Sequence, residues 1–165
     1  MEFQEKLIQL LEKYSPKIMH NAEYYLLEEI PENKLRNAMK KYAKDADKDR
    51  ILALWDTSLF SDAKEGFLFT GSGIYYPRFL DKPQMIPYTQ IQAAAIVNKK
   101  KQDWDSGFEL TFSDGTKDQW FCSFLNKTPL ESFFRQLISA ERASRGISGK
   151  ISLYETIENQ KITFE

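Results

Sequence analysis

The stretch Glu65–Tyr76, EGFLFTGSGIYY, constrains the fold more than any other part of the chain. Gly66–Thr70 and Gly73–Phe79 read as short strands around Gly71-Ser72-Gly73, and glycine tolerates the positive φ that tight hairpin turns use. The flanking text keeps the strand rhythm. Ile51–Trp55 (ILALW) is a continuous apolar run, as in a well-buried strand. Pro83 and Pro87 bracket an extended piece around Met85, and Ile91–Val97 is a further strand candidate. Phe108, Leu110 and Phe112 alternate with Glu109, Thr111 and Ser113, so one face is buried. After the Asp114-Gly115 turn, Trp120, Cys122 and Phe124 alternate with Gln119, Phe121 and Ser123. About seven short strands at this spacing predict an antiparallel sandwich or barrel rather than a parallel α/β sheet.

A helix closes the run. Thr128-Pro129-Leu130-Glu131 has the form of a capping box, with proline at the first helical position. Leu130, Phe133, Phe134, Leu137 and Ile138 make its apolar face. Arg142 and Arg145 suit the last turn, and Gly146 suits the position just beyond it. The spacing predicts a helix over about 129–145.

Residues 2–46 follow a helical period instead. Phe3, Leu7, Leu10, Leu11 and Tyr14 form one stripe. Ser15-Pro16 reads as a new helix start, followed by a stripe of Ile18, Ala22, Tyr25 and Leu26. Pro31 breaks that run. Leu35, Ala38, Met39 and Tyr42 make a weaker third stripe, and the charged stretch Lys44–Arg50 reads as a connection. The expected organisation is α+β: a helical N-terminal region (1–46), a strand-rich domain with its closing helix (50–146), and a tail (147–165). The tail mixes Ile151, Leu153, Ile157, Ile162 and Phe164 with polar residues, as a strand or a helix would.

Composition narrows the function. Among 165 residues, 42% are hydrophobic and 14% aromatic, enough for one sizeable core. With 23 basic and 24 acidic residues, overall charge gives no reason to expect a nucleic-acid partner. The lone Cys122 forms no intramolecular disulfide, which fits a reducing compartment. No leader pattern or run of roughly 18 apolar residues is visible, so a cytoplasmic protein is expected.

The order of strands and closing helix over residues 50–145 resembles the pleckstrin-homology superfold. GFLFTGSGIYYPRF resembles the GRAM and bacterial PH-like subgroup, in which a glycine and an apolar-X-apolar-Thr strand precede a turn and an apolar-aromatic strand. The resemblance implies a β-barrel or sandwich of about seven strands, and a binding module for lipid head groups, peptides or proteins. The basic residues of the superfold's phosphoinositide site have no counterpart here. The matching loop, Asp56–Glu65, holds Asp56, Asp62 and Glu65 against Lys64 alone.

No catalytic set, metal site or cofactor is expected. His20 and Cys122 lack metal-ligand spacing and a nucleophile's neighbours. Asp56/Asp62, Asp103/Asp105 and Asp114/Asp118 fall in turns, where aspartate serves local backbone hydrogen bonds. No GxSxG, Walker A or GxGxxG motif is present. Tyr75, Tyr76, Phe79 and Tyr88 read more simply as packing residues than as a stacking platform for bases. The one local charge feature is NKKKQDWD, where Lys99, Lys100 and Lys101 precede Trp104. It reads either as a contact for an anionic membrane surface or as a solvated loop with Trp104 folded back onto the sheet. The expected function is a non-catalytic protein-interaction module, such as an adaptor, an inhibitor or an immunity-type protein. The alternative is a peripheral membrane binder acting through that lysine loop.

Overall fold

Two antiparallel sheets, α1 and α3 share one principal core, and a third helix packs on the far face of the first sheet, in the computed structural model, which describes residues 2–79 and 82–146. The tail 147–165, with the apolar positions noted above, lies outside the described residues. In chain order the elements are α1 (Phe3–Ile18), β1 (Glu23–Leu26), α2 (Glu32–Lys41), β2 (Ile51–Asp56), β3 (Gly66–Thr70), β4 (Gly73–Tyr75), β5 (Met85–Pro87), β6 (Ile91–Val97), β7 (Gly107–Phe112), β8 (Lys117–Trp120) and α3 (Lys127–Ser144). The first sheet runs β1-β2-β3-β4-β5 and the second β6-β7-β8. The α+β class matches the sequence pattern, and seven strands, β2–β8, lie between residues 50 and 125. The strand expected over Gly73–Phe79 ends at Tyr75, and the one expected from the alternation Gln119–Phe124 covers Lys117–Trp120 instead. The two sheets do not close into a barrel.

Side chains from both sheets meet α1 and α3 in the main core. Trp55, Phe69, Phe108, Phe133 and Phe134 are all fully buried there. Strand β7 alternates as its sequence predicts, with Phe108, Leu110 and Phe112 buried and Glu109 and Thr111 half-buried. Strands β2, β3 and β4 are buried almost without alternation. Their second face is covered by α2, where Leu35, Ala38, Tyr42 and Ala43 pack on Leu54, Leu68 and Tyr75.

Three local expectations need correction. First, Ser15-Pro16 does not start a helix. Helix α1 runs through it to Ile18, with Pro16 in its last turn, and the helix gives up the one backbone hydrogen bond that a proline cannot donate. The buried Ser15 hydroxyl instead accepts a hydrogen bond from Trp55 Nε1 at 2.9 Å. Second, the stripe ending in Tyr25 and Leu26 is not helical. Asn21 turns the chain with φ 54°, and residues 23–26 pair with β2, Tyr24 opposite Trp55. Aromatic residues suit such a strand, and the unpaired edge of β2 supplies the partner. Third, Thr128 does not cap α3, which starts at Lys127. Asp103 reaches over from the β6–β7 loop and accepts from the Thr128 N–H and hydroxyl, each at 2.8 Å. The Glu131 carboxylate accepts from the Ile96 N–H at 2.9 Å. Gly146 follows the helix with φ 80°, as its sequence position predicts.

The β3–β4 turn needs glycine for space rather than for an unusual φ. A Cβ at Gly73 would meet Ile86 O at 2.5 Å. The Thr70 hydroxyl organises this turn, accepting from the N–H groups of Ser72 and Gly73.

Candidate functional site

The open side of the fold follows from how β8 ends. Strand β8 pairs with β7 on one side and, among the described residues, has no strand on the other. A few residues later the chain is captured again: Asn126 N donates to Ile18 O, His20 N donates to Phe124 O, and Met19 bridges Leu125. Between those points the sheets part. The result is a cleft of about 1080 Å³ between β8, the start of β3 and the segment following β4. Phe67, Tyr76, Trp120, Cys122 and Phe124 line it.

One end of the cleft is fastened by charge. The Asp118 carboxylate accepts from Arg78 Nε at 2.7 Å, Arg78 Nη2 at 3.0 Å, the Tyr76 hydroxyl at 2.5 Å and Lys82 at 3.3 Å. Burial favours its neutral form, but these donors outweigh burial and hold the carboxyl below the usual aspartate range. The guanidinium also lies 5.4 Å from the Phe112 ring centroid. Lys117 pairs with Glu109 at 3.4 Å. The charges at this end therefore largely cancel in pairs, and the lining is mainly aromatic.

The rim is apolar and exposed. Leu59 is 76% exposed, Phe79 80% and Phe121 58%, and all three border the cleft. Phe60, next to Leu59 in the chain, is 82% exposed. These are the four most exposed large hydrophobic side chains among the described residues. Single exposed apolar residues need no explanation, but several around one concavity mark a binding surface. The Trp120 indole N–H, inside the cleft wall, has no acceptor among the described residues.

The residues singled out in the sequence lie elsewhere. Lys99, Lys100 and Lys101 are exposed in the β6–β7 loop. Trp104 is half-buried and stacks on His20, with ring centroids 4.1 Å apart. Its carbonyl, with that of Cys122, accepts from the buried Lys127 ammonium at 2.6 and 2.8 Å. Burial pushes the Lys127 pKa below the ordinary lysine value. The tryptophan is thus anchored to the protein, while the three lysines face solvent.

Cys122 is half-buried at the cleft wall, and burial pushes its thiol pKa up, away from the reactive thiolate. Asp103 caps α3, and Asp114 accepts from the N–H and hydroxyl of Thr116. Among the described residues no group of three or more His, Cys, Asp and Glu is placed to hold a metal ion.

Asp56 belongs to a polar cluster under α2 that local sequence did not suggest. Lys34 Nζ donates to Glu23 at 2.6 Å, the Tyr25 hydroxyl at 2.9 Å and Asp56 at 2.9 Å. Burial alone would lower the lysine's pKa, but the three partners raise it above the ordinary value. Asp56 also accepts from the Ser58 hydroxyl and N–H. This network fixes α2 to β1 and β2 and shapes the β2–β3 loop that carries Leu59.

Family models, curated proteins and solved structures were each compared with the chain, and none matches it.

Proposed function

We propose that the chain is a non-catalytic protein-interaction module on a pleckstrin-homology-like scaffold, and that its partner lays an apolar, extended segment into the cleft along β8. The observation that carries this reading is the grouping of Leu59, Phe79 and Phe121 around a cleft beside a strand edge that is unpaired among the described residues. A strand edge supplies backbone hydrogen bonds to an added strand, and pockets beside it select alternate side chains. Large aromatic side chains in and around such a pocket supply most of the binding energy at protein interfaces. The paired charges at the Asp118 end favour an apolar segment over an ionic one.

The scaffold reading draws on two antiparallel sheets with a common core and a closing helix at the C-terminal side. The chain adds α1, β1 and α2 to that plan. The membrane alternative rests on Lys99, Lys100 and Lys101, because Trp104 is engaged by His20. Each lysine near an anionic surface contributes about 1 kcal/mol, a modest total without an anchor.

Selection from a displayed random-peptide library tests the proposal. The expected result is enrichment of aromatic and aliphatic peptides that bind the intact chain and fail to bind a Phe79→Ser, Phe121→Ser variant. Absence of enrichment, or equal enrichment on that variant, would overturn it.

A further inference from the structure

A second surface, on the exposed side of α2, has the opposite character. Arg36, Lys40, Lys44 and Lys48 recur at intervals of four and line one groove of about 450 Å³. Side chains four apart on a helix are neighbours, about 6 Å between Cβ atoms. The row continues from α2 through the following turn to Lys48. The only acidic residue lining the groove is Glu32, and it pairs with Arg36 at 3.4 Å. Lys40, Lys44 and Lys48 make no ion pair among the described residues. Asp45, Asp47 and Asp49 alternate with these lysines in sequence but do not line the groove. In a chain of net charge −1 this is a local excess of positive charge. Its apolar floor is formed by Leu35 and Met39.

We propose that this groove docks an acidic segment of a protein partner, with carboxylates against the cationic row and apolar side chains on Leu35 and Met39. A single phosphate is held by donors converging on one point, whereas cations strung along a row suit an elongated polyanion. A single-stranded nucleic acid uses aromatic faces for its bases, and no aromatic residue lines the groove. A membrane-bound helix pushes its apolar residues outward, whereas Leu35 is buried and Met39 half-buried. Complementary charge of this kind steers encounter and excludes like-charged partners. The groove shares no residue with the β8 cleft, so the two proposals stand or fall separately.

Fluorescence anisotropy of labelled poly-glutamate with the intact chain, at low and at physiological salt, tests this. The expected result is binding that weakens with salt and falls at least about tenfold in a Lys40→Glu, Lys44→Glu, Lys48→Glu variant. The variant Lys99→Glu, Lys100→Glu, Lys101→Glu makes the same charge change elsewhere and is expected to stay within about twofold of the unaltered chain. Circular dichroism checks the fold, and a Lys40→Gln, Lys44→Gln, Lys48→Gln variant replaces the first if charge reversal unfolds it. Lack of binding, or equal loss in the two charge-reversed variants, would overturn the proposal. So would tighter binding to a poly-thymidine oligonucleotide or to phosphatidylserine vesicles than to poly-glutamate.

Discussion

Arg78 and Asp118, forty residues apart, are joined by two hydrogen bonds from one guanidinium, Nε to Oδ2 at 2.7 Å and Nη2 to Oδ1 at 3.0 Å. The pair ties the segment after β4 to the edge strand β8, so it sets the width of the cleft. Both side chains are about nine-tenths buried, so solvent screens the pair little.

Asp118→Asn leaves the Arg78 charge without its carboxylate. Removing one partner of a buried pair typically costs about 3 kcal/mol or more, and the neighbouring exposed surface reduces this to roughly 2–3 kcal/mol here. Urea unfolding at neutral pH reads the loss. The acid side carries a second signature. The folded carboxyl titrates below its unfolded value near 4, so the contribution is present above that value and fades as pH falls through the lowered folded pKa. In Asp118→Asn this part of the acid dependence is absent.

Lys34→Met removes the donor shared by Glu23, Tyr25 and Asp56 and strands a carboxylate with 1% side-chain exposure. The expected loss is about 3 kcal/mol, measured by denaturant midpoint. Because the folded lysine titrates above its unfolded value, its contribution is full at neutral pH and is lost only as pH rises through the folded pKa. The stability gap between the unaltered chain and Lys34→Met therefore narrows only in strong alkali.

Lys127 shows the opposite linkage. Its pKa is lowered by burial, so between the folded and unfolded values the unfolded chain holds more protons. Its contribution to stability rises with pH in that window, up to about 10.4. Compared in a Cys122→Ser background, which removes the thiol's titration, the unaltered lysine gains on Lys127→Met as pH is raised from 7 toward 10. Unfolding in urea across that range measures the difference, and a constant gap would show that the lysine does not titrate differently on folding.

How much of this was legible depends on the range of the interaction. Phe108, Leu110 and Phe112 announce β7 by strict alternation, and the Asp114-Gly115 turn is written in two residues. Gly146 at the end of α3 needs only its own backbone. Strand β1 is four residues, EYYL, inside helical text, and its identity comes from the edge of β2. The local motif at Thr128 predicts a cap for α3, whereas the acceptor comes from Asp103, 25 residues earlier. Lys34 with Asp56 and Arg78 with Asp118 are long-range pairs with no local signature. The cleft depends on where two sheets part, which no single segment encodes. Its one trace in sequence is Phe121, an aromatic residue on the outward side of the alternation Gln119–Phe124, of which only Gln119 and Trp120 are strand.

Amide hydrogen exchange along residues 117–122, with and without a saturating peptide selected on the intact chain, tests the central claim most directly. The account predicts slowing of at least about tenfold at the free edge of β8, as amides there gain strand partners. Unchanged exchange along β8, with protection appearing on another surface, would contradict it.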